Sequence, residues 1–191
     1  MRRIYRLIII GAFLCVSCTG QELFWEDLSN SQKSNILSSC KSQKILELYE
    51  GKFVLADNES TVELLRDIVM ADDNLLPLSF YLFNNILITA DGALAEMAGK
   101  YCIEFSAKHP EYFLLYFTRE RERRVKDPVW RLYAQFIGYE LYFKNLGTSD
   151  LNYTYYSFKE VLTTGAKGNV ANGKTLEVFW QLVDETIKDM E

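Results

Sequence analysis

The chain has 191 residues, with 21 lysines and arginines against 26 aspartates and glutamates, and a formal charge of −5. That balance excludes a general nucleic-acid binder, which shows a basic footprint. A single histidine excludes a two-histidine metal site, and four cysteines without a second CxxC pair to set against Cys15–Cys18 leave structural zinc without a ligand set.

The N-terminus reads MRRIYRLIIIGAFLCVSCTG. Arg2, Arg3 and Arg6 precede an apolar core from Leu7 to Val16. That core is shorter than the roughly 20 apolar residues a permanent bilayer-spanning helix needs. The layout is that of a secretory signal. Its end resembles a bacterial lipoprotein signal: Val16 and Ser17 precede the cut, and Cys18 stands where the family carries its lipid. Cys15 occupies the position where the family usually has Leu, with Leu14 beside it. The resemblance covers residues 1–18 and implies removal of 1–17, acylation of Cys18 and anchoring in the bacterial cell envelope, at the outer membrane. Residues 18–30 are then a lipid-anchored tether, and 31–191 a single helical domain. Loss of three arginines with the signal makes the remainder more acidic still.

Cys15 leaves with the signal and Cys18 takes lipid, so Cys40 and Cys102 remain. An oxidising compartment allows them to form a disulfide, and two buried thiols fit equally well. The sequence leaves both open.

Helices are predicted over 31–49, 60–71, 77–89, 92–108, 110–126, 128–146, 152–163 and 174–190. Ser60 with Glu63 reads as a capping box ahead of the second. Pro77, Pro110 and Pro128 each open an apolar run, as proline does in a first helical turn. Asn74 and Asp127 read as N-caps upstream of two of them. In 92–108, Leu94, Met97, Ala98, Tyr101 and Phe105 share one face; in 174–190, Leu176, Phe179, Trp180, Val183, Ile187 and Met190 do the same. The run from Pro128 to Leu146 is apolar nearly all round, which predicts a central buried helix ended by Gly147. KFVLA at 52–56 and LNYTYYSF at 151–158 carry lesser strand patterns. The fold class is therefore all-α, built from antiparallel helical hairpins. Helix starts at 60, 92 and 128 have the spacing of stacked hairpins, so either an irregular bundle or a short HEAT/TPR-like solenoid fits.

The stretch GNVANGKT, Gly168 to Thr175, matches the spacing of a phosphate-binding loop. Such a loop joins a buried strand to a helix, and the upstream YYSFKEVLTTGAK contains no Val/Ile-rich run. No nucleotide is expected there, and no cofactor elsewhere. His109 sits at a helix junction, where capping is its expected role. Asp72, Asp73, Asp91 and Glu96 are the carboxylates available for acid–base work, which glycoside hydrolysis carries out with a pair. At turns and first helical turns they read first as caps and solvated faces.

The run RERERRVK, Arg119 to Lys126, reads first as a solvated last helical turn, with Glu120–Arg124 and Glu122–Lys126 in the favoured order. Alternating helices would bring its Arg121, Arg123, Arg124 and Lys126 toward Lys167 and Lys174, a basic end for an anionic partner or lipid headgroups. Asp72, Asp73 and Asp150 would then make the opposite end acidic. Aromatics from Tyr112 to Phe143 read mainly as core, with a few left for a binding face. The expected function is that of a lipid-anchored envelope protein acting on a protein partner by binding, as adaptor, scaffold or immunity-type inhibitor, without catalysis. The alternative is a small carboxylate-dependent hydrolase of envelope glycans.

Overall fold

The computed structural model describes residues 24–122 and 128–191. The signal segment, Cys18 and the stretch from Arg123 to Asp127 lie outside them. Among the described residues there are nine α-helices and no strand: α1 (Asn30–Ser39), α2 (Gln43–Tyr49), α3 (Glu59–Val69), α4 (Leu76–Thr89), α5 (Gly92–Lys108), α6 (Pro110–Glu122), α7 (Pro128–Asn145), α8 (Tyr155–Gly165) and α9 (Val170–Asp189). The all-α expectation holds.

Side-chain caps explain where the boundaries depart from the sequence reading. The segment 31–49 is two helices. Cys40 is extended, and Ser42 caps α2 by accepting from the Ile45 N–H while its hydroxyl donates to Asp67 Oδ2 at 2.6 Å. A serine with two such partners competes successfully with helix continuation. At α3 the cap is Asn58, accepting from the Thr61 N–H at 3.0 Å, rather than Ser60; Glu63 pairs with Lys44 on α2 instead of closing a capping box. Asn74 lies in a 3-10 turn at Asp73–Leu75 and reaches Ser39, so α4 starts without a side-chain cap but with Pro77 in its first turn. Neither strand pattern forms a strand. Residues 52–56 are an unpaired connection, and Thr154 with Ser157 makes a capping box that starts α8. Gly147, at φ +74°, ends α7, and the Thr148 N–H closes back onto the Phe143 carbonyl at 3.0 Å.

The odd-numbered helices follow one another in a layer: α3 packs on α5, α5 on α7, and α7 on α9. α4 packs against α3 and α7, and α6 against α8 and α9. The helices form an all-α bundle with α7 central, as its composition predicts. Two glycines bring the layer together. A Cβ at Gly99 would lie 2.9 Å from Glu140 Cγ, and one at Gly138 would lie 2.8 Å from Thr186 Cβ. Between the layers, Tyr133 of α7 is fully buried among Phe80, Phe83, Phe113 and Phe117. This aromatic cluster forms part of the one continuous core.

The packed body reaches back beyond residue 31, where the sequence places the start of the domain. Phe24 and Trp25 are 3% and 4% exposed. Phe24 packs on Tyr112 and Tyr116 of α6, and Trp25 on Tyr49 and Tyr81. The Arg119 guanidinium lies 4.1 Å over the Phe24 ring and pairs with Asp27. The tether expected over 18–30 is thus part of the fold from Phe24 onward.

Candidate ligand cleft

The layer of odd helices carries a cleft of about 1040 Å³. α3 contributes Val62, α5 its face from Gly92 to Tyr101, α7 the side chains Phe136, Tyr139, Glu140 and Phe143, and the C-terminus Met190. The turn after α7 closes one side with Thr148, Ser149 and Asp150. The size of the cleft is at the upper end of small-molecule sites, which run to roughly 1,000 Å³.

Glu140 is the one acidic residue in the apolar run that forms α7. Gly99 makes room for it, since any side chain there would occupy the space of the Glu140 stem. Half-burial raises its pKa above the ordinary carboxylate value; Ser149, whose hydroxyl donates to Oε2 at 3.1 Å, opposes this, Asp150 adds to it and Lys100 counters. Asp150 goes the other way. Lys100 reaches both of its oxygens at 3.0 Å and lowers its pKa, and the Lys100 pKa rises in return. Asp150 remains 82% exposed, so this pair contributes little stability. Glu96 stands exposed at the rim.

The residues singled out from sequence are placed as follows. Cys18, Arg123, Arg124 and Lys126 lie outside the described residues, and Arg121 is in the last turn of α6. Cys40 and Cys102 are both buried and free, so no disulfide joins them. Burial pushes both thiols up, Cys102 most strongly. Lys167 and Lys174 are exposed, and Asp72, Asp73 and Asp91 are solvated. Asp150, expected at an acidic end, is engaged by Lys100. His109 ends α5 and lines a smaller cleft of about 560 Å³ with Asp73, Lys108 and Glu111. Burial, then Lys108, lower its pKa, while Asp73 at 4.0 Å opposes them. Among the described residues no group of histidine, cysteine or carboxylate side chains is arranged to hold a metal, and no helix is long and apolar enough to cross a membrane.

GNVANGKT is a helix start, and it begins earlier than residue 174. Gly168 turns the chain at φ +85°, Asn169 caps α9 by accepting from the Asn172 N–H at 3.1 Å, and α9 runs from Val170. Asn172 and Gly173, a pair whose chemistry favours turns, are helical. Asn172 and Thr175 face inward onto Thr118 of α6, at 3.0 and 2.8 Å. The threonine that would meet magnesium in a phosphate loop is 1% exposed and engaged in the core. Lys174 faces solvent. Lys174→Ala should therefore change stability by no more than about 0.5 kcal/mol. Mg-ATP should leave the melting temperature where it is, whereas a ligand at ~100 times its dissociation constant adds about 2.7 kcal/mol. A melting shift in wild type that disappears in Lys174→Ala would overturn this.

Sequence reasoning passed over Glu140, Lys100 and Gly99. The signals available were one acid inside an apolar helix and one glycine inside a periodic one. Comparison of the chain with known protein families, curated proteins and solved structures finds no match to any of them.

Proposed function

We propose that the protein is a lipid-anchored component of the bacterial envelope that acts by binding, and that the α5–α7 cleft is its recognition surface. The observation behind this is the cleft itself: four stacked segments lend it apolar and aromatic walls, with a few charged groups at fixed positions. The anchor follows from the Val16-Ser17-Cys18 resemblance. The basic residues from Arg121 to Lys126, together with Lys167 and Lys174, offer a second contact for anionic headgroups or an anionic partner.

Two methionines make the cleft testable. Met97 and Met190 line it, whereas Met70 is 65% exposed and lies elsewhere. With the full chain in lipid nanodiscs and its methionine methyls labelled, 2-phenylethanol, phenylacetate and 2-phenylethylammonium serve as probes. At least one should shift Met97 and Met190 saturably while Met70 stays in place. If none does, the cleft is not a binding site. Cys18→Ala should abolish both fatty-acid labelling and membrane partition; a wild-type chain that is soluble and unlabelled removes the anchor.

One observation favours the second reading, carboxylate-dependent hydrolysis. Glu140 and Asp150 line one cleft with proton affinities pushed in opposite directions, the division of labour an acid and a base require. Both oxygens of Asp150 are held by Lys100, which makes it a poor base. Cleavage of envelope glycan that is lost in Glu140→Gln would establish this reading over binding alone.

A further inference from the structure

The charges lining the cleft are unbalanced. Glu96, Glu140 and Asp150 face it, with Lys100 as the one cation among the lining residues. That ammonium is bound to both oxygens of Asp150. Among the described residues no cation forms an ion pair with Glu140, whose hydrogen-bond partner is the Ser149 hydroxyl. Lys100 favours the charged form of Glu140 only from a distance, because its ammonium is committed to Asp150; among the described residues Glu140 has no ion-pair partner of its own. Four aromatic residues, Tyr101, Phe136, Tyr139 and Phe143, line the same cleft. An aromatic face attracts a cation within about 6 Å, and most strongly where water is displaced.

We propose that the cleft takes an organic cation, an ammonium group carried on an apolar or aromatic body, with the charge seated against Glu140. The proposal rests on the binding reading of the same cleft and assigns its ligand class. An anion would meet three carboxylates and displace no counter-ion. A neutral ligand would leave Glu140 half-buried without an ion-pair partner. An ammonium ligand supplies what the site lacks while its body covers the apolar wall. The neighbours of Glu140 also define a pH dependence. Lys100 on α5 favours its charged form, Asp150 in the turn after α7 disfavours it, and the Cys102 thiol on α5 is neutral. Glu140 attracts the ligand only when ionised, so affinity is full above its raised pKa and falls as pH drops through it.

The test uses the full chain in nanodiscs, with empty nanodiscs as the blank, and titrates the same three probes by calorimetry. Near neutral pH, 2-phenylethylammonium should bind about tenfold more tightly than 2-phenylethanol, the scale of one charge-assisted contact, with phenylacetate weakest. Glu140→Gln should bring ammonium and alcohol to similar affinities. Phe143→Ala, at a side chain 41% exposed and so safe for folding, should weaken both. Acidification should weaken only the ammonium, and this readout stands even if Glu140→Gln does not fold. Equal affinity for the alcohol, a preference for phenylacetate, or ammonium binding indifferent to pH would overturn the proposal while leaving the cleft a binding site. Failure of all three probes would remove the cleft reading itself.

Discussion

Phe113→Ala should cost about 3–5 kcal/mol of stability, the range for truncating a fully buried aromatic. Its ring packs at 4.9 Å from Phe117, 5.1 Å from Tyr133 and 5.5 Å from Phe179. It therefore joins α6 to α7 and α9, the two helices with which the layers meet. The side chain is 0% exposed, and the surrounding rings are too stiff to collapse into the space it leaves. For a domain of this size each kcal/mol lowers the melting temperature by about 2–4 °C, so a drop of about 6–20 °C is expected by circular dichroism. Phe113→Leu, which refills most of the volume, should recover a large share. A loss below about 1 kcal/mol would mean that α6 does not seat on α7 and α9 as described.

Thr118→Val should cost about 1–3 kcal/mol although it preserves shape, because it removes a buried hydroxyl and leaves its partners unmatched. Thr118, Asn172 and Thr175 are 4%, 4% and 1% exposed. The Thr118 hydroxyl donates to Asn172 Oδ1 and takes the proton of Thr175, which closes the polar set. Valine leaves both facing a methyl group. Thr118→Ser keeps the hydroxyl and should retain most of the stability. Denaturant titration of the two variants compares them directly; if serine is no better than valine, the hydrogen bonds contribute nothing and only the methyl packing counts. With Lys174→Ala the pair separates two readings of GNVANGKT. A structural motif is sensitive at Thr118 and silent at Lys174, and a phosphate loop is the reverse.

The parts of the fold visible in sequence are those with local causes. Helix α5 spans 92–108 as read, because its apolar spacing is unbroken between Gly92 and the Pro110 junction. Helices α6 and α7 begin at their prolines for an equally local reason. The errors arise where a polar side chain chooses between two partners. Ser42 caps α2 and holds Asp67, which splits one predicted helix into two. Asn172 and Gly173 have turn chemistry, but the Asn169 cap and the contact with Thr118 draw them into α9. Glu63 satisfies Lys44 rather than its own helix end. The cleft was hidden for a different reason. Lys100 and Asp150 are fifty positions apart, and Glu140 owes its environment to a missing Cβ on another helix. No local pattern encodes such meetings. A lone acid in an apolar run marks where to look but not what it will meet.

If Cys18 is acylated as proposed, the burial of Phe24 and Trp25 sets the geometry at the membrane. Residues 19–23 are all that separates Cys18 from the first ring locked into the core. A chain spans at most about 3.6 Å per residue, which limits this leash to roughly 20 Å even when taut. With Cys18 acylated, the body skims the headgroup layer instead of ranging through the surrounding fluid. Its encounters then follow lateral diffusion in a thin sheet, and an amphipathic amine that gathers at the same interface is met at its local concentration there, far above its bulk value.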